Sequence, residues 1–154
     1  EYPLTAAGWR IDDNGRKFIR VKGVRWFTNI DHGRRHEPLP LMTMADNLRF
    51  SKHKELKGKT AYDRYDNYDA IEVPFTDAIP SDYDGVMGVP ISFLDKYCPE
   101  QFEILGISLE LGIKKPDNLP KEKQGGPAFY IKMGTDYNRM YCRLAIRRKL
   151  TIDN

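Results

Sequence analysis

Long apolar runs are missing from this 154-residue chain. No stretch approaches the roughly 20 apolar residues of a membrane-spanning helix. The opening Glu1-Tyr2-Pro3-Leu4 lacks the basic start and apolar stretch of a secretory leader. Cysteine is scarce: Cys98 and Cys142 stand 44 positions apart, and neither forms a C-x-x-C pair that could hold zinc or act as a redox couple. Both are expected to be buried free thiols, since free cysteine packs as a small hydrophobe. No serine sits in a G-x-S-x-G turn, so a hydrolase triad has no support. Together these absences describe a soluble chain, expected in the cytoplasm. An opening without methionine that reads like mid-chain suggests a segment of something longer.

Positive charge is almost absent from the middle. Residues 66–112 carry a net charge of −9, whereas 1–30, 31–65 and 113–154 carry +3, +3 and +6, for a total of +3. Basic ends around an acidic centre fit a protein that offers one basic surface to a polyanion, but charge alone favours a surface charged only for solubility. With 40% apolar and 12% aromatic residues, the chain can bury one core, and its size predicts a single domain.

The pattern along the chain predicts a β-rich α+β fold with a mainly antiparallel or mixed sheet and short helices. Trp9-Arg10-Ile11 and the alternating Lys17–Lys22 flank Asn14-Gly15, a hairpin signal because both residues tolerate positive φ. In this reading Phe18 and Arg20 share one strand face and Ile19 and Val21 the other. Val24–Ile30 predicts a further strand of the same antiparallel sheet. From Asp31 to about Arg64 periodicity is lost, which predicts a long connection or mobile arm. Tyr62, Tyr65 and Tyr68, each followed by Asp, step by three and fit a short helix edge. Ala70–Val73 reads as a strand. Ile91–Tyr97 and Glu100–Phe102 read as helical turns opened by Pro90 and Pro99. Phe102–Leu109, Ala128–Lys132 and Met140–Leu150 read as strands, and Lys114–Pro127 as a loop.

Several motifs are weak. Gly58-Lys59-Thr60 imitates the end of a phosphate-binding loop, but the glycine required five positions earlier is His53. His32 and His36 would share a helix face, yet Gly33 disfavours the helix and Arg34 and Arg35 repel a cation, so no metal site is expected. Asp46, Glu55 and Lys57 loosely match a magnesium nuclease, but the Glu-x-Lys lies in a polar stretch and not on an apolar strand. That leaves basic residues interleaved with aromatics. Arg34, Arg35, Arg49, Lys52, Lys54, Lys57 and Lys59, together with Arg143, Arg147 and Arg148, are candidate phosphate contacts, and Tyr62, Tyr65 and Tyr68 candidate base-stacking faces.

Three segments carry a resemblance: Ile19–Asp31 (IRVKGVRWFTNID), Tyr65–Ile71 (YDNYDAI) and Asp82–Tyr97 (DYDGVMGVPISFLDKY), continued by Pro99–Gly106. In order and spacing they resemble the C-terminal half of the EcoRI-type adenine-specific DNA methyltransferases, from about residue 2 to residue 149, and Arg143–Arg148 looks like that family's last basic strand. The resemblance implies S-adenosylmethionine as methyl donor and the amine of an adenine swung out of the duplex as acceptor. It also implies a restriction-modification context and DNA as partner. The family's Asn-Pro-Pro-Phe type motif has no counterpart here, because the chain contains no Pro-Pro pair, and no glycine-rich strand-to-helix turn is present to hold the cofactor. Those parts are expected upstream, in a catalytic portion that this chain would accompany. No catalytic or cofactor-binding residue is therefore carried over, and the chain by itself is expected to bind no cofactor and to be inactive. In this reading residues 1–30 complete the methyltransferase sheet, 31–65 form a basic arm and 66–154 engage DNA. The alternatives are a non-catalytic DNA-binding or protein-interaction module and, remotely, the magnesium nuclease.

Overall fold

A computed structural model describes residues 9–19 and 28–149. The chain divides into two compact units, 1–31 and 32–154. In the first, β1 (Trp9–Ile11) and β2 (Lys17–Ile19) pair antiparallel with Ile11 opposite Lys17. Asn14-Gly15 does sit in the turn, but the reversal takes all of Asp12–Arg16. The Asp12 carboxylate accepts from the N–H groups of Asn14 and Arg16 at 3.0 and 2.8 Å, and Gly15 adopts φ 76°. The strand expected over Val24–Ile30 lies outside the described residues up to position 27. Thr28 to Ile30 are irregular. Arg20 and Val21, half of the expected facing pattern, also lie outside.

The second unit holds a four-stranded mixed sheet in the order β3 (Ile71–Glu72), β4 (Met87–Pro90), β8 (Arg143–Arg148), β5 (Phe102–Ile107). β3 is parallel to β4, and β8 is antiparallel to both its neighbours. A separate antiparallel hairpin joins β6 (Tyr130–Met133) and β7 (Asp136–Arg139). This is a β-rich α+β fold with few, short helices. In the two central strands consecutive residues are buried, Met87-Gly88-Val89 and Leu144-Ala145-Ile146, because both faces of the sheet are covered. One face packs Ile71, Met87, Val89, Leu144 and Ile146 against Phe93 and Phe102, whose rings meet edge-on at 5.3 Å. The other packs Ala70 and Ala145 against Tyr65, Phe129 and Ile131.

A row of registered residues crosses that second face: Glu72, Gly88, Ala145, Gly106. Three are small, which lets the Tyr65 ring lie flat over the strands. A Cβ built on Gly88 would stand 1.9 Å from the Tyr65 hydroxyl. Gly106 also carries φ 135° at the bulge that sets Leu105 out of register in β5.

Within residues 31–64, where a long connection or mobile arm is expected, several side chains pack on the core. Thr43 caps α1 (Met44–Phe50), its Oγ1 accepting from the Asp46 N–H at 3.1 Å. Leu39, Leu41, Met44 and Leu48 pack on the core, and Leu56 is fully inside it. Too few apolar residues recur for a periodic signal, yet those present are enough to anchor the segment. Gln101 fixes it further: its side chain accepts from Leu39 N–H at 2.7 Å and donates to Leu39 C=O at 2.9 Å.

Ile91–Lys96 winds as a 3-10 helix, as Pro90 suggests, but Glu100–Phe102 does not form a helix. Pro99 opens a turn and Phe102 begins β5. Tyr62–Tyr68 forms no helix edge either: Arg64 makes an isolated antiparallel bridge to Ile71. Cys98 is buried, whereas Cys142 is exposed, contrary to expectation, because it sits in the bend before β8. Among the described residues no helix is long and apolar enough to cross a membrane.

Tyr62 is 5% exposed and donates to the Ala78 carbonyl at 2.6 Å. Burial pushes its phenol up to about 12, with the nearby Asp82 and Asp77 adding and an Asn47 hydrogen bond subtracting. A folded pKa above the unfolded value means that this contribution is complete below pH ~10 and is lost as pH rises through about 12. Urea denaturation should therefore show stability falling above pH ~10, and Tyr62→Phe should remove part of that fall while costing about 1 kcal/mol near neutrality. A fall of equal size in both proteins would show that Tyr62 is not its source.

Candidate functional site

Most of the basic candidates from the arm reach solvent. Arg34 and Arg35 lie in a 3-10 turn over Gly33–His36, Arg34 exposed and Arg35 half-buried. Arg49 is exposed at the end of α1 with its guanidinium 5.0 Å from the centre of the Phe50 ring. Lys52, Lys54 and Lys57 are exposed on the following turns. None of these six forms an ion pair among the described residues. Lys59 differs, being paired with Asp63 four positions on.

Of the three tyrosines expected as stacking faces, Tyr62 and Tyr65 are core residues and Tyr68 is half-buried against Phe129. Tyr62 is held by Ala78. Tyr65 is 6% exposed, stacks on Phe129 with centroids 4.6 Å apart, and donates to Glu72. Neither ring offers a free face to a base, because the apolar ring found more buried area inside than the tyrosine-aspartate spacing suggested. The C-terminal arginines are also engaged. Arg147 donates to Glu103 at 2.7 Å across the β8–β5 pair, Arg148 stands 3.5 Å from Asp84, and the half-buried Arg143 is paired with the buried Glu72. The last basic strand thus spends its charges on the acidic middle of the chain.

Glu72 is the residue that the pattern of charge did not single out. Arg143 grips it side-on: Nε donates to Oε1 at 2.9 Å and to Oε2 at 3.2 Å, and Nη2 donates to Oε1 at 2.7 Å. The Tyr65 hydroxyl donates to the other oxygen. The two side chains are 6% and 14% exposed. Burial works against the Arg143 charge, and the hydrogen bonds and field of Glu72 outweigh it, so the guanidinium's pKa is raised. Burial, then the carboxylate, pushes the Tyr65 phenol far up. One signal was present in the sequence: an acid inside the apolar strand Ala70-Ile71-Glu72-Val73, where only a paired carboxylate is tolerated.

The weaker motifs are dispersed. Asp46 is occupied at the cap of α1 and Glu55 and Lys57 lie on later turns; no group of three or more His, Cys, Asp or Glu among the described residues is placed to hold a metal ion. His36 pairs through Nδ1 with Glu100 at 2.5 Å, and His32 precedes its turn. Among the described residues no strand passes through a glycine-rich turn into a helix, and α1, the one α-helix among them, is seven residues long and follows a loop.

Comparison with known proteins adds a second line of evidence. A family profile described as "Adenine-specific methyltransferase EcoRI" matches residues 1–149. The type II methyltransferase M.EcoRI of Escherichia coli is 43% identical over 116 residues, which is 75% of this chain and 32% of that protein. M.MgeORF184P of Mycoplasma genitalium is 40% identical over 92 residues, 60% of this chain and 26% of the relative. M.MpnI of Mycoplasma pneumoniae is 36% identical over 95 residues, 62% and 27% respectively. The chain therefore spans about a third or less of the length of these curated relatives. No solved structure matches it. A profile match over nearly the whole chain, with relatives of one kind, places this protein in the EcoRI family of adenine-specific methyltransferases.

Proposed function

We propose that this chain is the C-terminal portion of an S-adenosylmethionine-dependent adenine-specific DNA methyltransferase of the restriction-modification type, and that its part in the enzyme is to hold DNA. The observation that carries the reading is the family match over residues 1–149, joined to a largely exposed set of basic side chains that form no ion pair among the described residues. The intact enzyme transfers the donor's methyl group to the adenine amine. The upstream catalytic portion holds the donor, and residues 1–30 complete its sheet. Arg34, Arg35, Arg49, Lys52, Lys54 and Lys57 form the phosphate-contacting surface. The paired Lys59, Arg147 and Arg148 contribute less, because each must first leave an acid, and the buried Tyr62 and Tyr65 and the Glu72-bound Arg143 contribute no backbone contact.

Phosphate neutralisation releases counterions, roughly 0.9 per contact on duplex DNA, so the logarithm of affinity must fall linearly with the logarithm of salt. Replacing Arg34, Arg35, Lys52 and Lys54 together by alanine should flatten that slope by about one unit per lost contact. Stability should change by roughly 0.5 kcal/mol or less per site, since these side chains are solvated. Fluorescence anisotropy of a labelled duplex at several salt concentrations reads both versions. Identical slopes and affinities would remove the arm from the DNA surface and leave the protein-interaction reading.

A further inference from the structure

Phe50 stands on the side of α1 that faces away from the core. Met44, Asn47 and Leu48 turn to the interior at the three- and four-residue spacing of one helix face. Phe50 comes two positions after Leu48, roughly 200° further round, so the phase of the helix sets it in solvent. It is 59% exposed, and with Tyr62 buried it is the one phenyl or phenol ring of residues 32–64 that reaches solvent. The Arg49 guanidinium, 5.0 Å from the ring centre, steadies the ring by cation–π attraction and still leaves more than half of the side chain open.

The charges around this ring decide what it can meet. Arg49, Lys52, Lys54 and Lys57 are exposed and form no ion pair among the described residues, and the one acid between Arg49 and Lys57 is Glu55. The Lys52 Cα lies within about 7 Å of that of Phe50 by backbone reach. A purely apolar partner would leave these cations without a counter-charge. An acidic peptide carries its charges and its flat rings on different residues. An unpaired DNA strand offers a phosphate and a flat π face in every nucleotide, whereas a duplex keeps its base faces stacked inside. All four bases have such a face, so the ring and its cations select an unpaired strand and no particular base.

We propose that Phe50 is a base-stacking face of the arm, on which an unpaired DNA base of any identity lies while Arg49, Lys52 and Lys54 hold the flanking phosphates. The inference rests on the proposal that the arm holds DNA backbone, and adds to it the form of DNA held. The test is fluorescence anisotropy of the 154-residue chain with labelled single strands of about twelve nucleotides, one of thymidines, one of deoxyadenosines and one of abasic sugar-phosphate units, and with a blunt duplex, each at several salt concentrations. The abasic strand keeps the phosphates and lacks the bases. Phe50→Ala should weaken both base-bearing strands by about tenfold or more, the range of one base–aromatic stack, and leave the abasic strand, the duplex and every salt slope unchanged. Phe50→Leu, apolar but without a π face, should lose most of the same affinity, and Phe50→Trp should keep it. All three variants are expected to fold, since the side chain lies outside the core. Unchanged binding of the base-bearing strands by Phe50→Ala, an equal loss on the abasic strand, a loss confined to one of the two bases, or full affinity in Phe50→Leu would each overturn the inference. Salt slopes that persist beside any of these results leave the arm as a DNA surface and sink the stacking face alone, whereas the absence of salt-dependent binding to every probe sinks both.

Discussion

Replacing Glu72 with alanine is expected to destabilise the protein by about 3–5 kcal/mol, because it strands a buried guanidinium without its counter-charge. Arg143 makes three of its hydrogen bonds to this carboxylate and Tyr65 makes one, so a single truncation leaves two other buried groups unsatisfied. Chemical denaturation of Glu72→Ala and of Arg143→Met should each show a large loss. The double variant Glu72→Leu with Arg143→Met should recover most of it, since a well-packed apolar pair of similar volume is close to neutral. Additive losses in the double variant would mean that the two residues do not act as a pair.

Gly88→Ala is expected to cost about 3 kcal/mol, from one added methyl group. The new Cβ would fall within 1.9 to 2.7 Å of the Tyr65 hydroxyl, its ring carbon and its neighbour. Such overpacking alone costs roughly 1–3 kcal/mol. Tyr65 cannot step aside cheaply, since it is stacked on Phe129 and bonded to Glu72. Two signatures distinguish this mechanism from a general intolerance of β4. The loss should shrink when Tyr65 is shortened to leucine in the same protein, and Met87→Leu in the same strand should cost under about 1.5 kcal/mol as a volume-conserving change. If Gly88→Ala costs the same whether or not Tyr65 is shortened, the close approach of the ring is not its cause.

Short-range chemistry was legible in the sequence. Asn14-Gly15 marked a reversal, and Pro90 preceded a helical turn. The strands over 70–73, 102–109, 128–132 and 140–150 were visible because β-branched and apolar residues cluster there, and each was placed within a few residues. β7 was not visible: Asp136-Tyr137-Asn138-Arg139 has one apolar residue, and its partner β6 supplies the pairing. The same limit applies to the arm, where Leu39, Leu41, Leu48 and Leu56 are spaced without a period and find their places only on a surface built by β3, β4 and β8.

By itself the sequence determined the family, the β-rich class, the turn positions and the uneven distribution of charge, because each depends on residue identity or on neighbours a few positions apart. It also gave the set of exposed lysines and arginines in the arm as candidates, since residue type sets charge. Only the tertiary structure decided which charges are already spent. Glu72 and Arg143 are 71 positions apart, as Arg147 and Glu103 are 44, and they meet because β8 lies between β4 and β5. Whether a tyrosine is a stacking face or a core residue was settled in the same way, by the small residues Gly88 and Ala145 arriving side by side under Tyr65. Burial and pairing are properties of strand order and register, and these arise from long-range contacts whose energies no local pattern of residues encodes.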